Sequence, residues 1–384
     1  MSALERIWWR PDTGAGRAAL LGPLAAAELV FRAGAALRGA LYDRGVLAAA
    51  RAAAPVVSIG NLAVGGAGKT PAAIAVAQRL VARGRRVAVL SRGYGATRSD
   101  ARVVSDGARV LLDAAQAGDE PALLARRLPE ARVLCGPRRA ELARVAVEAL
   151  GADALVLDDG FQHRALARDL DVVVLDAANP FGNGHLLPRG PNREPRGALA
   201  RAGLVWLSRV DQADDARALD AVRALARRAT GVDPIESRHA PVDVVDATLA
   251  RSVGVGALRG ARVVALSGLA RPGAFQRTLE ALGAEVVAER AYPDHHRFTA
   301  AELDEALRAA DEAGASRVVM TEKDAVRLSA ARAGDARLCA VRIEAEIVAG
   351  EDLLRWALDR ALGTTTGAAA ATTTPTATAN SLAR

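Results

Sequence analysis

The chain has 384 residues, 51% of them apolar, with a net charge of +7 and only 3% aromatic residues. Length and apolar content exclude a disordered polypeptide and leave room for two domains with cores of their own. The positive charge invites nucleic acid or an anionic membrane. It is spread without a basic block or zinc-ligand spacing, and so few aromatics offer little base stacking, which speaks against nucleic acid.

Two cysteines, Cys135 and Cys339, stand far apart without metal-ligand spacing, as expected of a reducing compartment. The start, MSALERIWWRPD, does not resemble a cleavable signal, and no run of about 18 uncharged apolar residues predicts a membrane-crossing helix. Lysine occurs only at Lys69 and Lys323, all other basic residues being arginine. Lysine is therefore expected where arginine does not serve, as where a compact ammonium meets phosphates.

In chain order, residues 1–54 are rich in Ala and Arg and carry Trp8 and Trp9. Pro23 suits the first position of a helix. Leu24, Ala27, Phe31 and Ala35 follow at helical spacing, with Glu28 and Arg32 as an i,i+4 pair on another face. Apolar stripe, basic flank and interfacial Trp fit a helix lying on a membrane; an ordinary helix covering a core fits equally.

From residue 55 short apolar runs alternate with helical patterns. Strands are predicted at 55–60, 85–93, 152–160, 171–176 and 204–210, with another short apolar run at 131–136; helices are predicted at 71–84, 120–128 and 141–150. The near-continuous apolar runs suit strands buried on both faces. This is an α/β pattern with a mostly parallel, doubly wound sheet, here given to a unit spanning 55–230. Residues 231–260 read as extended connecting strands. A smaller second α/β unit is predicted over 261–363, followed by a low-complexity, disordered tail at 364–384.

Between the first strand and helix stands VGGAGKTP (64–71). The strict phosphate-loop pattern G-x-x-x-x-G-K-[ST] fails because Ala63 occupies the place of its first glycine, which is tolerable if φ there is negative. The setting still fits: Gly65, Gly66, Ala67 and Gly68 turn backbone N–H groups toward phosphate oxygens, Lys69 neutralises the β- and γ-phosphates, and the Thr70 hydroxyl is placed for Mg²⁺. A carboxylate for the metal belongs at the end of another buried strand. LDDG offers Asp158 and Asp159; Asp176 is a competitor or a plain helix cap. Asp119-Glu120 in AGDEP reads either as a helix cap or as a base and metal ligand. In YPDHHRF, Asp294 beside His295 and His296 suits proton handling or a surface turn.

Eight ordered segments, SIGNLAVGGAGKTP, SRGYG, AGDEP, LDDGFQH, GNGHLLPRGPNREP, LSGLARPGAF, YPDHHRF and MTEKDAVRL, resemble the tetraacyldisaccharide 4′-kinase family over roughly residues 5–360. The resemblance implies a P-loop kinase core, a smaller second domain joined by a pair of strands, and an N-terminal helix touching lipid at the cytoplasmic face of the inner membrane. It implies ATP and Mg²⁺, a membrane-embedded glycolipid acceptor, and transfer of the γ-phosphoryl to its 4′-hydroxyl, with no obligate protein partner in view. Residue by residue, Lys69 matches the phosphate-binding lysine, Thr70 the metal-binding hydroxyl, Asp119 the base and His295 its paired histidine. Glu120, Asp158 and Asp159 match acids around the metal, and Arg92, Arg139, Gln162 and His163 fall in segments that touch substrate or nucleotide. Ala63 and Asn192 depart from the usual pattern. A partitioning-type ATPase would carry lysine where Val64 stands, and a GTPase would want N-K-x-D near SRVD (208–211).

Overall fold

The structure, a computed structural model, describes residues 8–9, 15–93, 101–213, 215–269, 272–293 and 296–364. A helix, α1 (Ala15–Asp43), precedes the first half: β1 (Val56–Gly60), α2 (Lys69–Ala82), β2 (Val87–Ser91), β3 (Arg102–Asp106), α3 (Ala114–Ala117), α4 (Asp119–Arg127), β4 (Arg132–Cys135), α5 (Arg139–Glu148), β5 (Ala154–Asp158), β6 (Leu170–Asp176), β7 (Leu204–Ser208) and α6 (Ala216–Thr230). After β8 (Ile235–Asp246) come β9 (Arg262–Gly268), α7 (Pro272–Ala281), β10 (Glu285–Tyr292), α8 (Ala300–Glu312), β11 (Arg317–Thr321), α9 (Glu322–Ala325), α10 (Ala330–Ala333), β12 (Leu338–Ala349) and α11 (Glu351–Ala361). The tail from 365 onward lies outside the described residues.

All twelve strands form one sheet in the order β10-β9-β11-β12-β8-β7-β6-β1-β5-β2-β4-β3. The expected mostly parallel α/β architecture is present. Only β8–β12 and the edge pair β3–β4 are antiparallel. β8 runs through the predicted connecting region; it pairs in parallel with β7 at its start and along its length with β12.

Strand alternation sends side chains to both faces. Val57, Ile59, Val89 and Val156 pack under α2 and α4, while Val56, Ala88, Leu90 and Leu155 pack against α5. In the second half, Val264, Leu266 and Val318 face α8, and Val263, Ala265 and Val319 face α7. α11 departs from the expected grouping: although within 261–363, its Leu354 and Leu358 join the core of Val57, Ile59 and Ile235. Arg79 of α2 and Arg83, the residue that caps it, hold α11 through Glu351 and Asp359. Neither β12 nor α11 is marked by a sequence motif.

α1 is longer than predicted. It begins eight residues before Pro23, which lies inside it. A proline there removes one i→i−4 hydrogen bond, a local loss within 29 helical residues rich in Ala and Leu. The expected Glu28–Arg32 pair forms at 3.1 Å. Glu28, however, points into the protein: it is 4% exposed, accepts from Leu186 N at 3.0 Å and faces His185 and Arg189. Leu29, Val30 and Leu37 point outward and are 66%, 75% and 63% exposed. Among the described residues no helix is long and apolar enough to cross a membrane. The tryptophans pack on the protein: Trp8 Nε1 donates to Pro188 O at 2.9 Å, and the Trp9 carbonyl lies within reach of Asn179. The indole N–H of Trp8 thus finds its acceptor in the protein.

Candidate active site

In open α/β sheets ligands bind beyond the carboxyl ends of the strands, where connections diverge. Here β1 lies between β5 and β6. The loop after β1 and the acids after β5 therefore meet. Gly68 ends the loop with φ 85°, a left-handed conformation, and a Cβ there would stand 3.0 Å from His239 Nε2 and 3.1 Å from Ser208. Only glycine meets both demands, and α2 starts at the next residue with its N–H groups facing the loop.

The loop rests on β7. Ser208 Oγ donates to Ala67 O at 2.8 Å, and Arg209 Nη2 donates to Gly66 O at 2.6 Å. Asp176 grips the same Arg209 nitrogen at 2.6 Å. The competitor acid thus supports the loop through an arginine. Ala63 is buried, bridges Asn192 in strand fashion and is absent from the positive-φ residues, so the missing glycine is not required. Both departures from the family pattern fall in this one pairing. Asn192 is 3% exposed and spends its amide N–H groups on Phe181 O and His185 O. The adjacent Val64 N donates to Pro191 O and Arg193 N to Leu62 O, so the 191–193 segment forms the loop's outer wall.

Lys69 Nζ lies 3.2 Å from Asn61 Oδ1 and 3.4 Å from Asp159 Oδ1. Asp159 has φ 56°, a conformation Asp tolerates better than most residues, and it is also held by Arg193 at 2.8 Å. Lys69 and Arg193 together keep its carboxyl below the usual carboxylate range against the opposing effect of burial. Asp158 is its opposite. It is 1% exposed, Ser91 Oγ is 3.4 Å from its Oδ2, and its Oδ1 has no hydrogen-bond partner. Burial, then the charges of Glu120 and Asp159, push it up to about 8 despite Lys69. Such an orphaned acid among like charges is a fitting place for a cation.

The expected metal set is only partly assembled. Asp158 and Asp159 are adjacent and Glu120 acts on Asp158, yet among the described residues no three His, Cys, Asp or Glu side chains converge on one point. Asp159 is occupied by Lys69 and Arg193. Asp158, with its orphaned Oδ1, and the neighbouring Glu120 are acids whose chemistry suits a cation.

Asp119 opens α4 after Gly118, whose φ of 93° redirects the chain. Its Oδ2 accepts from Arg327 Nε at 2.7 Å, an ion pair that spans both halves of the sheet. His295 and Asp294 lie outside the described residues. The adjacent His296 is 3.0 Å from Glu302 through Nε2 and stacks on Tyr292 at 4.6 Å. His296 thus bridges the end of β10 and the start of α8.

The four residues expected at substrate differ in role. Arg92 is exposed at the end of β2, and its charge reaches Arg139 and His163. Arg139 is 3% exposed and donates from Nη1 to Gly136 O and Pro137 O, while its Nε is buried without a hydrogen-bond partner. Gln162 is spent on Asn61 O and Arg193, while its carbonyl accepts from Arg38 of α1. His163 is driven down to about 4 by burial and the surrounding arginines, so it is neutral at pH 7. No local pattern marks Asn61, Arg193, Arg209 and Arg327 as functional, although the first two and Arg327 stand inside the family-like segments and Arg209 inside SRVD.

The family model for tetraacyldisaccharide-1-P 4′-kinase matches residues 18–362. A tetraacyldisaccharide 4′-kinase of Anaeromyxobacter sp. strain Fw109-5 is 78% identical over 94% of this chain and 97% of its own. One from Syntrophus aciditrophicus is 40% identical over 85% of this chain and 89% of its own. The solved structure of LpxK from Aquifex aeolicus in complex with ATP superposes with a TM-score of 0.74 at 28% identity, covering 89% of this chain and 99% of that one. Site geometry, fold and sequence agree, and the chain belongs to the tetraacyldisaccharide-1-P 4′-kinase family.

Proposed function

We propose that this chain transfers the γ-phosphoryl group of ATP to the 4′-hydroxyl of a tetraacyldisaccharide 1-phosphate, with Asp119 accepting the hydroxyl proton. ATP-dependent kinase activity is that of the family. The observation that carries the reading of the site is Lys69 at 3.4 Å from Asp159, next to the buried Asp158, beside a glycine loop at the ends of β1 and β5. An alcohol does not ionise at neutral pH, so a carboxylate takes its proton as the new P–O bond forms and the bond to ADP breaks. Lys69 and the N–H groups of the loop stabilise charge on the transferring group. Mg²⁺, when bound, would offset phosphate charge, with Thr70, Asp158 and Glu120 as the residues proposed to hold it. Arg193 fixes Asp159, and Asp159 in turn fixes Lys69. His295 is proposed to orient Asp119 or carry its proton onward. Incubation with labelled ATP and a tetraacyldisaccharide 1-phosphate is expected to yield labelled lipid; ATP hydrolysis without labelled lipid would refute the acceptor.

The acceptor's acyl chains keep it in a bilayer, so the enzyme must come to the membrane. The outward Leu29, Val30 and Leu37, with Arg32 and Arg38 on the same helix, suit peripheral binding to the anionic inner face. Arg38 also donates to Gln162 O at 3.1 Å, which ties that helix to the site. Changing Leu29, Val30 and Leu37 together to Glu is expected to reduce flotation with anionic vesicles at least about tenfold, since each fully buried side chain contributes roughly 1.5–3 kcal/mol. Rates on detergent-dispersed acceptor should change little, because these three side chains are exposed and point away from the protein.

Asp158 gives a pH test. A carboxyl raised from 3.8 to about 8 binds its proton more tightly in the folded protein, so it favours folding at low pH and loses that contribution as pH rises from about 4 to 8. His163 and His239, both lowered to about 4, act in the opposite direction between pH 4 and 6.5, so the comparison must be with a variant. Asp158→Asn is expected to gain stability over the wild type by at least about 1 kcal/mol between pH 5 and 8, read by urea unfolding without nucleotide or Mg²⁺. A pH-independent difference would contradict it.

A further inference from the structure

We propose that the MTEKDAVRL segment positions the helix that carries the base, with Arg327 setting the direction of the Asp119 carboxylate and Glu322 fixing the far end of the same helix. The proposal rests on the reading of Asp119 as proton acceptor. It gives a role to a motif that the nucleotide chemistry leaves unassigned.

α4 is nine residues long and is gripped at both ends by the C-terminal half. At its start, Arg327 Nε holds Asp119 Oδ2 at 2.7 Å. The Arg327 side chain is only 1% exposed, against 13% for Asp119, so the arginine grips the carboxylate from inside while the carboxylate borders solvent. Arg327 is itself fixed: Nη1 donates to Asp324 Oδ1 at 2.9 Å and to His296 O at 3.4 Å. Asp324 is fully buried and accepts from Thr321 Oγ1 at 2.7 Å and Gly268 N at 3.2 Å. A Cβ at Gly268 would stand 3.0 Å from Asp324 Oδ1, which explains a glycine at the end of β9. At the other end of α4, Arg127 donates to Glu322 Oε2 at 2.7 Å, Ile343 O at 3.0 Å and Glu344 Oε1 at 3.0 Å. Arg342 Nε holds the second oxygen of Glu322 at 2.9 Å.

The two anchors stand eight residues apart, about 12 Å along a helix. Holding both ends fixes the position of α4 along its axis and its rotation. Stability alone does not require such an arrangement, because buried ion pairs are often replaceable by apolar residues without loss. What they supply is direction: a charged hydrogen bond to one carboxylate oxygen sets the plane of the group. The same guanidinium also donates to His296 O. Arg327 thus ties Asp119, His296 and the second half of the sheet to one point. It is a positioning residue.

The test uses the full chain with ATP and the tetraacyldisaccharide acceptor, comparing wild type, Arg327→Ala, Arg327→Lys, Glu322→Gln, Asp119→Asn and the double variant Arg327→Ala/Asp119→Asn under single-turnover conditions. Arg327→Ala is expected to lower kcat about 10²-fold, the cost of an ångström-scale misplacement, with both KM values within about twofold. Free guanidinium at non-denaturing concentration is expected to restore part of the Arg327→Ala rate and none of the Glu322→Gln rate. Once Asp119 is Asn, removing Arg327 is expected to cost no further rate. An equal cost in both backgrounds, or a rise in KM with kcat unchanged, overturns the positioning role while leaving Asp119 as base. A near-normal rate for Asp119→Asn overturns the base itself. Should Arg327→Ala fail to fold, Arg327→Lys keeps the buried charge and is expected to show the same kcat-only loss at smaller size; full activity there overturns the proposal.

Discussion

Replacing Asp119 by alanine is expected to lower phosphoryl transfer by about 10³-fold, within the range that a positioned general base contributes. ATP affinity should change less than about threefold if, as proposed, the loop and Lys69 hold the phosphates. The physical basis is the acceptor: a sugar hydroxyl must lose its proton as it attacks, and Asp119 opens α4 with a carboxylate held from behind by Arg327. Single-turnover rates with labelled ATP, paired with equilibrium binding of a non-hydrolysable analogue, check both halves. A fall in ATP affinity that accounts for the whole loss would move Asp119 from proton acceptor to nucleotide ligand.

Replacing Lys69 by alanine is expected to cost about 10²–10³-fold in kcat, comparable to removing one preorganised donor to a developing charge. ATP affinity should fall as well, unlike for Asp119→Ala. Lys69→Arg is expected to recover little. The ammonium fits a narrow seat between Asn61 Oδ1 and Asp159 Oδ1, at 3.2 and 3.4 Å, and its side chain is only 11% exposed. A planar guanidinium does not occupy such a seat as a point charge does. Steady-state kinetics with both variants, with ATP binding measured separately, decide this; an active Lys69→Arg enzyme would show that charge alone is required. The chain's preference for arginine makes the comparison pointed, since lysine is retained at this position and at Lys323 alone.

The site was unevenly legible. The phosphate loop could be read because its determinants are local: glycines, a lysine and a hydroxyl between a strand and a helix. Asp158 and Asp159 could be read as acids at a strand end, but not their divergence. One is buried with an orphaned oxygen, the other neutralised by Lys69 and Arg193. That difference depends on an arginine 34 residues away in sequence. Arg139 and Gln162 are expected at substrate from the motifs they stand in; in the fold Gln162 meets Asn61 O and Arg193, and Arg139 donates to two carbonyls while its Nε keeps no partner. The helical spacing of α1 was visible, whereas the inward turn of Glu28 was not, because its partners lie in the loop at 185–189.

Sequence by itself determined the α/β class, the nucleotide loop, the order of the chemistry-bearing motifs and the kinase family they resemble. Those follow from hydrophobic period and short-range spacing, which a chain carries wherever it folds. Tertiary structure alone decided that the two predicted α/β units share one sheet, that α11 returns to the first core, and that Arg327 meets Asp119 across 208 residues. Strand order and ion pairs between distant segments depend on which surfaces come to face each other. No local pattern of residues encodes that meeting.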